Sequence, residues 1–527
     1  MQGDAGHYPA GSLYVSLRNA WQSGVKVKHM AARILFAIPK VKSLSKGKSL
    51  TVHPHAGVAY LCSFLKNNGF EIQIFDDGVE DNRAGLLETL QEFNPQLIGV
   101  TVFGYSYQYA RELIKVIKQN CAIPVVLGGP HVSTIRKVIL TETAADFAIK
   151  LEGEYTLLEL MRAIQETDRD YSKIQGLIWR DSSDSIVENI DRPLNQNLDS
   201  LPFPDYDAFK LKKYYCYKSN TLPIITSRGC PFSCNFCSVK LSMGGVFRAR
   251  SAKNIIDEIE HFVKKGWRNF DINDDCFTLD KIRVEEICDL IINEKIDIRF
   301  QFPNGIRADT VSPRLLQKLK QAGCVYIFYG CETGSERILR LIRKGITLKQ
   351  VRMAVEWTND AGIDNAVNFI IGHTQETYHD ALDTIAFAKS LPTNFVHFFN
   401  LIPYPGTEAY DWAMRHANFL VSRKRYLWQI TSEQADPVFE TAEFTKRQRK
   451  RVMKIGLNLF KKMYLRFRFG MAAGSLAYYI TRISPLEKLA IRFILDSQFG
   501  KFIYAAASNL FQMSKKNQRK RKLTPLL

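Results

Sequence analysis

The sequence predicts an α/β protein. An N-terminal doubly wound (Rossmann-like) domain is followed by a partial (β/α)6 barrel and a helical, basic C-terminal region. Three observations carry this. Short apolar runs alternate with helical periodicity twice over, between residues 33 and 164 and again between 222 and 401. A Pro- and Asp-rich stretch, 191–207, separates the two series. The net charge of +19 is concentrated at one end: residues 441–527 hold 20 Lys+Arg against Glu443, Glu487 and Asp496, a net of +17, which leaves +2 for the rest.

Residues 1–30 show no periodic pattern and read as an extension. Asp4 and His7 stand where a signal peptide needs its apolar core, and ten cysteines in 527 residues are too few for a disulfide scaffold. A cytoplasmic, reducing setting is expected. No uninterrupted apolar run approaches the ~18 residues of a spanning helix.

Residues 31–170 form the first domain. Ile34–Ile38, Ile72–Phe75, Leu97–Phe103, Val125–Leu127 and Phe147–Leu151 are buried parallel strands, with helical patterns between them. Such a sheet binds ligands beyond the carboxyl ends of its strands. Residues 171–215 read as a hairpin, turning at Asp181–Asp184, and a linker. The barrel occupies 216–410, with strands Leu222–Thr226, Asn269–Asn273, Ile298–Pro303, Val325–Tyr329, Asn365–Ile371 and Val396–Leu401. Its chemistry is expected at the strand carboxyl ends. Residues 411–527 are helical and then basic.

After the first barrel strand comes Thr226-Ser-Arg-Gly-Cys230-Pro-Phe-Ser-Cys234-Asn-Phe-Cys237, three cysteines within eight residues. Three thiolates from one loop can hold three irons of a 4Fe-4S cluster, leaving the fourth iron open. A structural zinc site wants four ligands, and no second CxxC or nearby His completes one.

The triplet, with Phe236 before its third cysteine, resembles the signature of the radical S-adenosylmethionine (SAM) superfamily. Later strand ends extend the likeness: Asp271-Ile-Asn-Asp274-Asp275, Asn304-Gly-Ile-Arg307, Gly330-Cys-Glu332-Thr-Gly-Ser335, Gly372-His-Thr-Gln-Glu376-Thr and Pro403-Tyr-Pro405-Gly406. The resemblance implies that SAM chelates the open iron. It also implies that Asp274 and Asp275 lie near the methionyl amine, Glu332 near the amine or ribose, Phe236 by the adenine, and the Gly372 loop in contact with SAM. His373-Thr-Gln departs from the G-x-P-G-E-T form of that loop. Asp274 and Asp275 fit equally well as an N-cap pair for the helix that follows. Cys62, Cys121, Cys276, Cys288, Cys324 and Cys331, isolated on apolar elements, are expected in the core; Cys216 is left undecided.

The first domain carries His55 and Gly57 at its first helix, Thr101 in the third strand, Gly128-Gly129-Pro-His131 after the fourth and Glu152-Gly153-Glu154 after the fifth. Glycines at strand ends let a phosphate or planar ligand approach. Joined to the cysteine triplet, this resembles the cobalamin-binding domain of the cobalamin-dependent radical SAM enzymes. The likeness implies cobalamin contacts from His55, Gly57, Thr101, Gly128, Gly129, His131, Gly153 and Glu154. The D-x-H-x-x-G motif that supplies a lower cobalt ligand is absent: the segment after the second strand reads Asp76-Asp-Gly-Val-Glu-Asp-Asn.

The resemblance implies methylation of an unactivated carbon, less often phosphorus, through a 5′-deoxyadenosyl radical and methylcobalamin. Ring formation or oxidative rearrangement by the same cofactors is the alternative. An RNA methylthiotransferase would need a second cysteine triplet, yet only Cys62 and Cys121 precede residue 200. A non-enzymatic binding module leaves the open-iron loop unexplained. In the tail, Arg447, Arg451, Lys454, Lys461 and Lys462 share one face of a predicted helix over 446–468. A helix covering the barrel with its charges in water is the first reading. Contact with anionic lipid, together with Lys515–Lys522, is the second. Nucleic acid ranks below both, because no recognised module accompanies the charge. A small-molecule or lipid substrate and a flavodoxin- or ferredoxin-type electron donor complete the expected partners.

Overall fold

The computed structural model describes residues 32–40, 53–80, 83–422, 426–429 and 436–481. The N-terminal extension and Lys515–Lys522 lie outside the described residues.

The first sheet contains β1 (Arg33–Ile38), β2 (Glu71–Asp76), β3 (Leu97–Thr101), β4 (Val125–Gly128), β5 (Phe147–Ile149), β6 (Leu177–Arg180) and β7 (Ile186–Glu188), in the order 2-1-3-4-5-6-7. The pairs among β1–β5 are parallel, as their uninterrupted apolar runs require. The hairpin expected between the domains adds β6 antiparallel to β5, where Trp179 pairs with Phe147, and β7 antiparallel to β6. An edge apolar enough to need a neighbour is thereby covered.

The second sheet is the predicted partial barrel. β8 (Thr221–Ile224) is followed by the small ribbon of β9 (Ser227–Arg228) and β10 (Arg248–Ala249). Then come β11 (Asn269–Ile272), β12 (Arg299–Ile306), β13 (Cys324–Glu332), β14 (Asp364–Ile371) and β15 (Phe395–Asn400). The six long strands are parallel, in the order 8-11-12-13-14-15. Their helices begin at side-chain caps: Ser251, Asp280, Ser312, Ser335, Thr347 and Thr377 each accept from a backbone N–H of the first turn.

The C-terminal helix Lys446–Phe469 closes the β15 side of the barrel. Val452, Met453 and Gly456 are buried, and Gly456 lies so close to Phe398 that a Cβ there would meet its ring at 2.5 Å. Arg447, Arg451 and Lys454 face outward, so this segment covers the barrel as first read. A turn at Gly470 returns the chain into the helix Met471–Ile480. Among the described residues, no helix is long and apolar enough to cross a membrane.

Candidate active site at the facing edges of the two sheets

The cysteine loop leaves β8 and is pinned before its first cysteine. Thr226 N–H donates to Asp274 Oδ1 (2.6 Å), and the hydroxyls of Thr226 and Ser227 donate to Asp274 Oδ2 (2.5 and 2.6 Å). Gly229 N–H donates to Asp275 Oδ2 (3.1 Å). This corrects the capping expectation: the cap of the following helix is Asp280, not the Asp274–Asp275 pair, and both of these carboxylates hold the cysteine loop. Gly229, at φ +82°, must be glycine, since a Cβ would lie 2.3 Å from Val246 O.

Cys230 and Cys234 are partly buried and Cys237 is exposed. Cys276, expected as core packing, is buried beside Cys230 and holds the Cys230 thiol below its ordinary value. Burial pushes the Cys237 thiol up to about 11 and raises that of Cys234. Among the described residues, no three metal-binding side chains converge on one point as a single-ion site requires. A cubane takes one thiolate at each of three separated corners, so this donor set fits a 4Fe-4S cluster. Cys62, Cys216, Cys288, Cys324 and Cys331 are buried in the main core.

Further charges stand around the loop. Glu332 ends β13 at φ +73°, an uncommon conformation for a side-chain-bearing residue, after a register shift against β14. Its carboxylate binds buried Lys344 Nζ at 2.6 Å. Arg307 lies 3.5 Å over the Phe232 ring and donates to Lys344 O (2.9 Å). Lys344 had no motif signal; only the fold brings it to the loop.

The Gly372 loop lies across the third cysteine. Phe236 and His373 rings are 5.3 Å apart, and Asn235 Nδ2 donates to Thr374 Oγ1 (3.1 Å). Glu376 Oε2 accepts from the amides of Gly372 and His373. Buried yet unpartnered are Asn235 Oδ1, both ring nitrogens of His373 and Glu376 Oε1. Buried polar atoms need partners, and a nucleoside offers both donors and acceptors. This set fits the adenosyl part of SAM.

The carboxyl edge of the first sheet faces this loop. His55 Nδ1 accepts from Val58 N–H (3.1 Å), so Nε2 carries the proton and donates to Thr101 Oγ1 (3.1 Å). Burial lowers its pKa to about 4, and both nitrogens are engaged, leaving none for cobalt. His53 pairs with Asp271 at 3.0 Å. A Cβ on Gly128 would meet nothing, whereas one on Gly129 (φ +106°) would meet Val102 O at 2.9 Å. The strand end is therefore open, with its chain bent aside, and it fits a bulky cofactor. His131 is buried, 4.6 Å from the Tyr107 ring. Gly153 precedes the helix Glu154–Ala163, and Glu154 binds Arg228 of the cysteine loop at 2.7 Å.

Comparison with known proteins accords with this geometry. The B12 binding domain model matches residues 45–161, and the radical SAM superfamily model matches 224–388. An uncharacterized methyltransferase of Pyrococcus horikoshii is 32% identical over 442 residues, covering 82% of this chain and 93% of that protein. The chain belongs to the cobalamin-binding radical SAM family. An anaerobic magnesium-protoporphyrin IX monomethyl ester cyclase of Rubrivivax gelatinosus is 26% identical, covering 72% of this chain and 69% of its own. Among solved structures, the cobalamin-dependent radical enzyme OxsB superposes with a TM-score of 0.68 at 15% identity, covering 95% of this chain and 80% of that one. The methyltransferase TsrM of Kitasatospora setae gives 0.62 at 21% identity, over 72% and 75%. As a member of the family this enzyme uses a 4Fe-4S cluster, SAM and cobalamin.

Proposed function

We propose that this enzyme methylates an unactivated carbon of a small-molecule or lipid substrate held between the cysteine loop and the carboxyl edge of the first sheet. One observation carries the reading: Arg228, two residues before Cys230, is ion-paired to the turn that ends β5. The two cofactor edges thus look into one shared space. The methyltransferase relative of Pyrococcus horikoshii supports the reaction class.

When bound, the three cofactors supply a 5′-deoxyadenosyl radical and a transferable methyl group. The chain supplies placement. Cys230, Cys234 and Cys237 hold the irons. Glu332 and Lys344 offer opposite charges for the methionyl amine and carboxylate, while Phe236 and His373 flank the adenine. His55, Gly57, Thr101, Gly128, Gly129 and His131 border the corrin. Tyr404 of the sixth barrel loop packs on Gly104, where a Cβ would stand 3.0 Å from its ring, and shields this rim from water.

The substrate surface is aromatic. On β13, Ile327 and Tyr329 pack outward against helices, so Tyr326 and Phe328 alternate to the other face. There Phe328 lies 5.8 Å from His397, which is 4.7 Å from Phe460 of the C-terminal helix. Apolar or planar substrate parts suit such a wall. The basic C-terminal helix, followed by Met471, Leu476 and Tyr479 exposed on the next, supports peripheral contact with anionic lipid. An acidic flavodoxin- or ferredoxin-type donor would supply the electron.

The test is anaerobic turnover with methyl-labelled SAM and a reductant, using a metabolite extract from a deletion strain as substrate source. Label in an extract compound supports methyl transfer. Consumption of a compound without label incorporation points to ring formation or rearrangement and overturns it.

A further inference from the structure

We infer that Glu152 and Glu154 are positioning residues that couple the cobalamin-binding sheet to the cluster loop, through a buried two-glutamate clamp on Arg228. The inference rests on the placement of cobalamin at the Gly128–Gly129 strand end.

Arg228 Nη1 binds Glu152 Oε1 at 2.9 Å and its Nη2 binds Glu154 Oε1 at 2.7 Å, so one guanidinium bridges two carboxylates of the same turn. Arg248, opposite Arg228 in the β9–β10 ribbon, adds a third contact from Nη1 to Glu152 Oε1 at 2.7 Å. All four side chains are 11% exposed or less. The planar fork of arginine fixes direction as well as distance, which a lysine would not. Solvent-exposed pairs contribute little, but buried ones leave a costly orphan charge when one partner goes.

The clamp is one link in a contiguous series. Gly129 opens the helix Pro130–Ile135, whose Ser133 hydroxyl accepts from Leu151 N–H at 2.9 Å. Leu151 is held at φ +59°, a conformation that is strained for a leucine and persists only where its surroundings impose it. Glu152 follows directly. On the barrel side, Arg228 precedes Gly229, whose N–H is tied to Asp275, and then Cys230. A contiguous path of chain segments, hydrogen bonds and ion pairs therefore joins the Gly129 strand end to the first cluster ligand. The helix Pro130–Ile135 also packs on the helix Val239–Met243, which follows Cys237. That second contact keeps the domains together when the clamp is opened.

Coupling between two sites is reciprocal and appears as a ratio of affinities. The experiment measures SAM dissociation constants by equilibrium dialysis of anaerobically reconstituted enzyme, with and without hydroxocobalamin. In the wild type, cobalamin should tighten SAM binding about five- to tenfold. In Glu152→Gln/Glu154→Gln, with iron, sulfide and cobalamin content retained, the ratio should fall below about twofold. A merely structural loss would weaken both constants and keep their ratio. Arg228→Lys, which keeps the charge but loses the fork, should give an intermediate ratio, and it serves alone if the double variant does not fold. An unchanged ratio in either variant, or a wild-type ratio of one, overturns the clamp. A wild type that takes up no cobalamin overturns the cofactor placement along with it.

Discussion

Lys344 Nζ lies 2.6 Å from Glu332 Oε1 in a buried pair at the end of β13, and the lysine's charge is felt at Cys234. Neither side chain is more than 11% exposed.

Lys344→Met leaves Glu332 buried without its counter-charge. Loss of about 3–5 kcal/mol of stability is expected from thermal unfolding. Glu332→Gln/Lys344→Met, with no orphan charge, should recover most of that loss yet still bind SAM at least about tenfold more weakly, a difference of about 1.4 kcal/mol. Wild-type SAM affinity in the double variant would refute the methionyl assignment.

Cys234→Ala and Cys237→Ala should each lose most bound iron and sulfide after anaerobic reconstitution. Cys276→Ser should retain the cluster, because its thiol contacts Cys230 instead of standing at a separate corner. Full cluster content in Cys234→Ala would remove that residue from the ligand set.

His55 should remain off cobalt. Electron paramagnetic resonance of cob(II)alamin bound to the enzyme is expected to show no splitting from a protein nitrogen. The histidine also has a pH signature. Its folded pKa of about 4 lies below the ordinary 6.5, so the unfolded chain binds the extra proton first as pH falls. The stability contributed by keeping it neutral is whole above 6.5 and is lost toward 4. Relative to wild type, His55→Gln should therefore gain about 1.4 kcal/mol per pH unit over that window, read by urea unfolding.

Gly372→Ala should be strongly destabilising. The residue sits at φ +102°, and a Cβ would stand 2.2 Å from Arg449 Nη1. Arg449 has no room to yield. It is buried, its guanidinium is 4.4 and 4.8 Å from the Phe439 and Phe444 rings, and its Nε donates to Phe444 O. A loss of about 2–4 kcal/mol is expected, combining strain and overpacking.

Lipid contact is tested by truncation after Thr481, not after residue 440, because Lys446–Phe469 is packed on β15. Co-sedimentation with phosphatidylglycerol vesicles should weaken on truncation and at high salt, whereas phosphatidylcholine vesicles should bind neither form. Equal, negligible binding of both forms to anionic vesicles would retire the lipid reading.

The sequence by itself determined what depends on local spacing. The Cys230–Cys237 triplet, the apolar runs that became parallel strands, the glycines at 128 and 129 and the C-terminal helix were all legible, since each is defined by neighbours a few residues apart. Tertiary structure alone decided which charges meet. Arg228 finds Glu152 and Glu154 across more than 70 positions, Lys344 finds Glu332, and Arg449 reaches the Gly372 loop from a helix beyond the barrel strands. Asp274 and Asp275 show the same limit from the other side. Their spacing allowed a helix cap or a ligand contact, but the approach of the β8 end gave both carboxylates to the backbone and hydroxyls of the cysteine loop. Periodicity specifies which face of an element is buried. The partner of a buried charge is fixed only when parallel strands bring their carboxyl ends to one edge, and there desolvation makes every unpaired group costly.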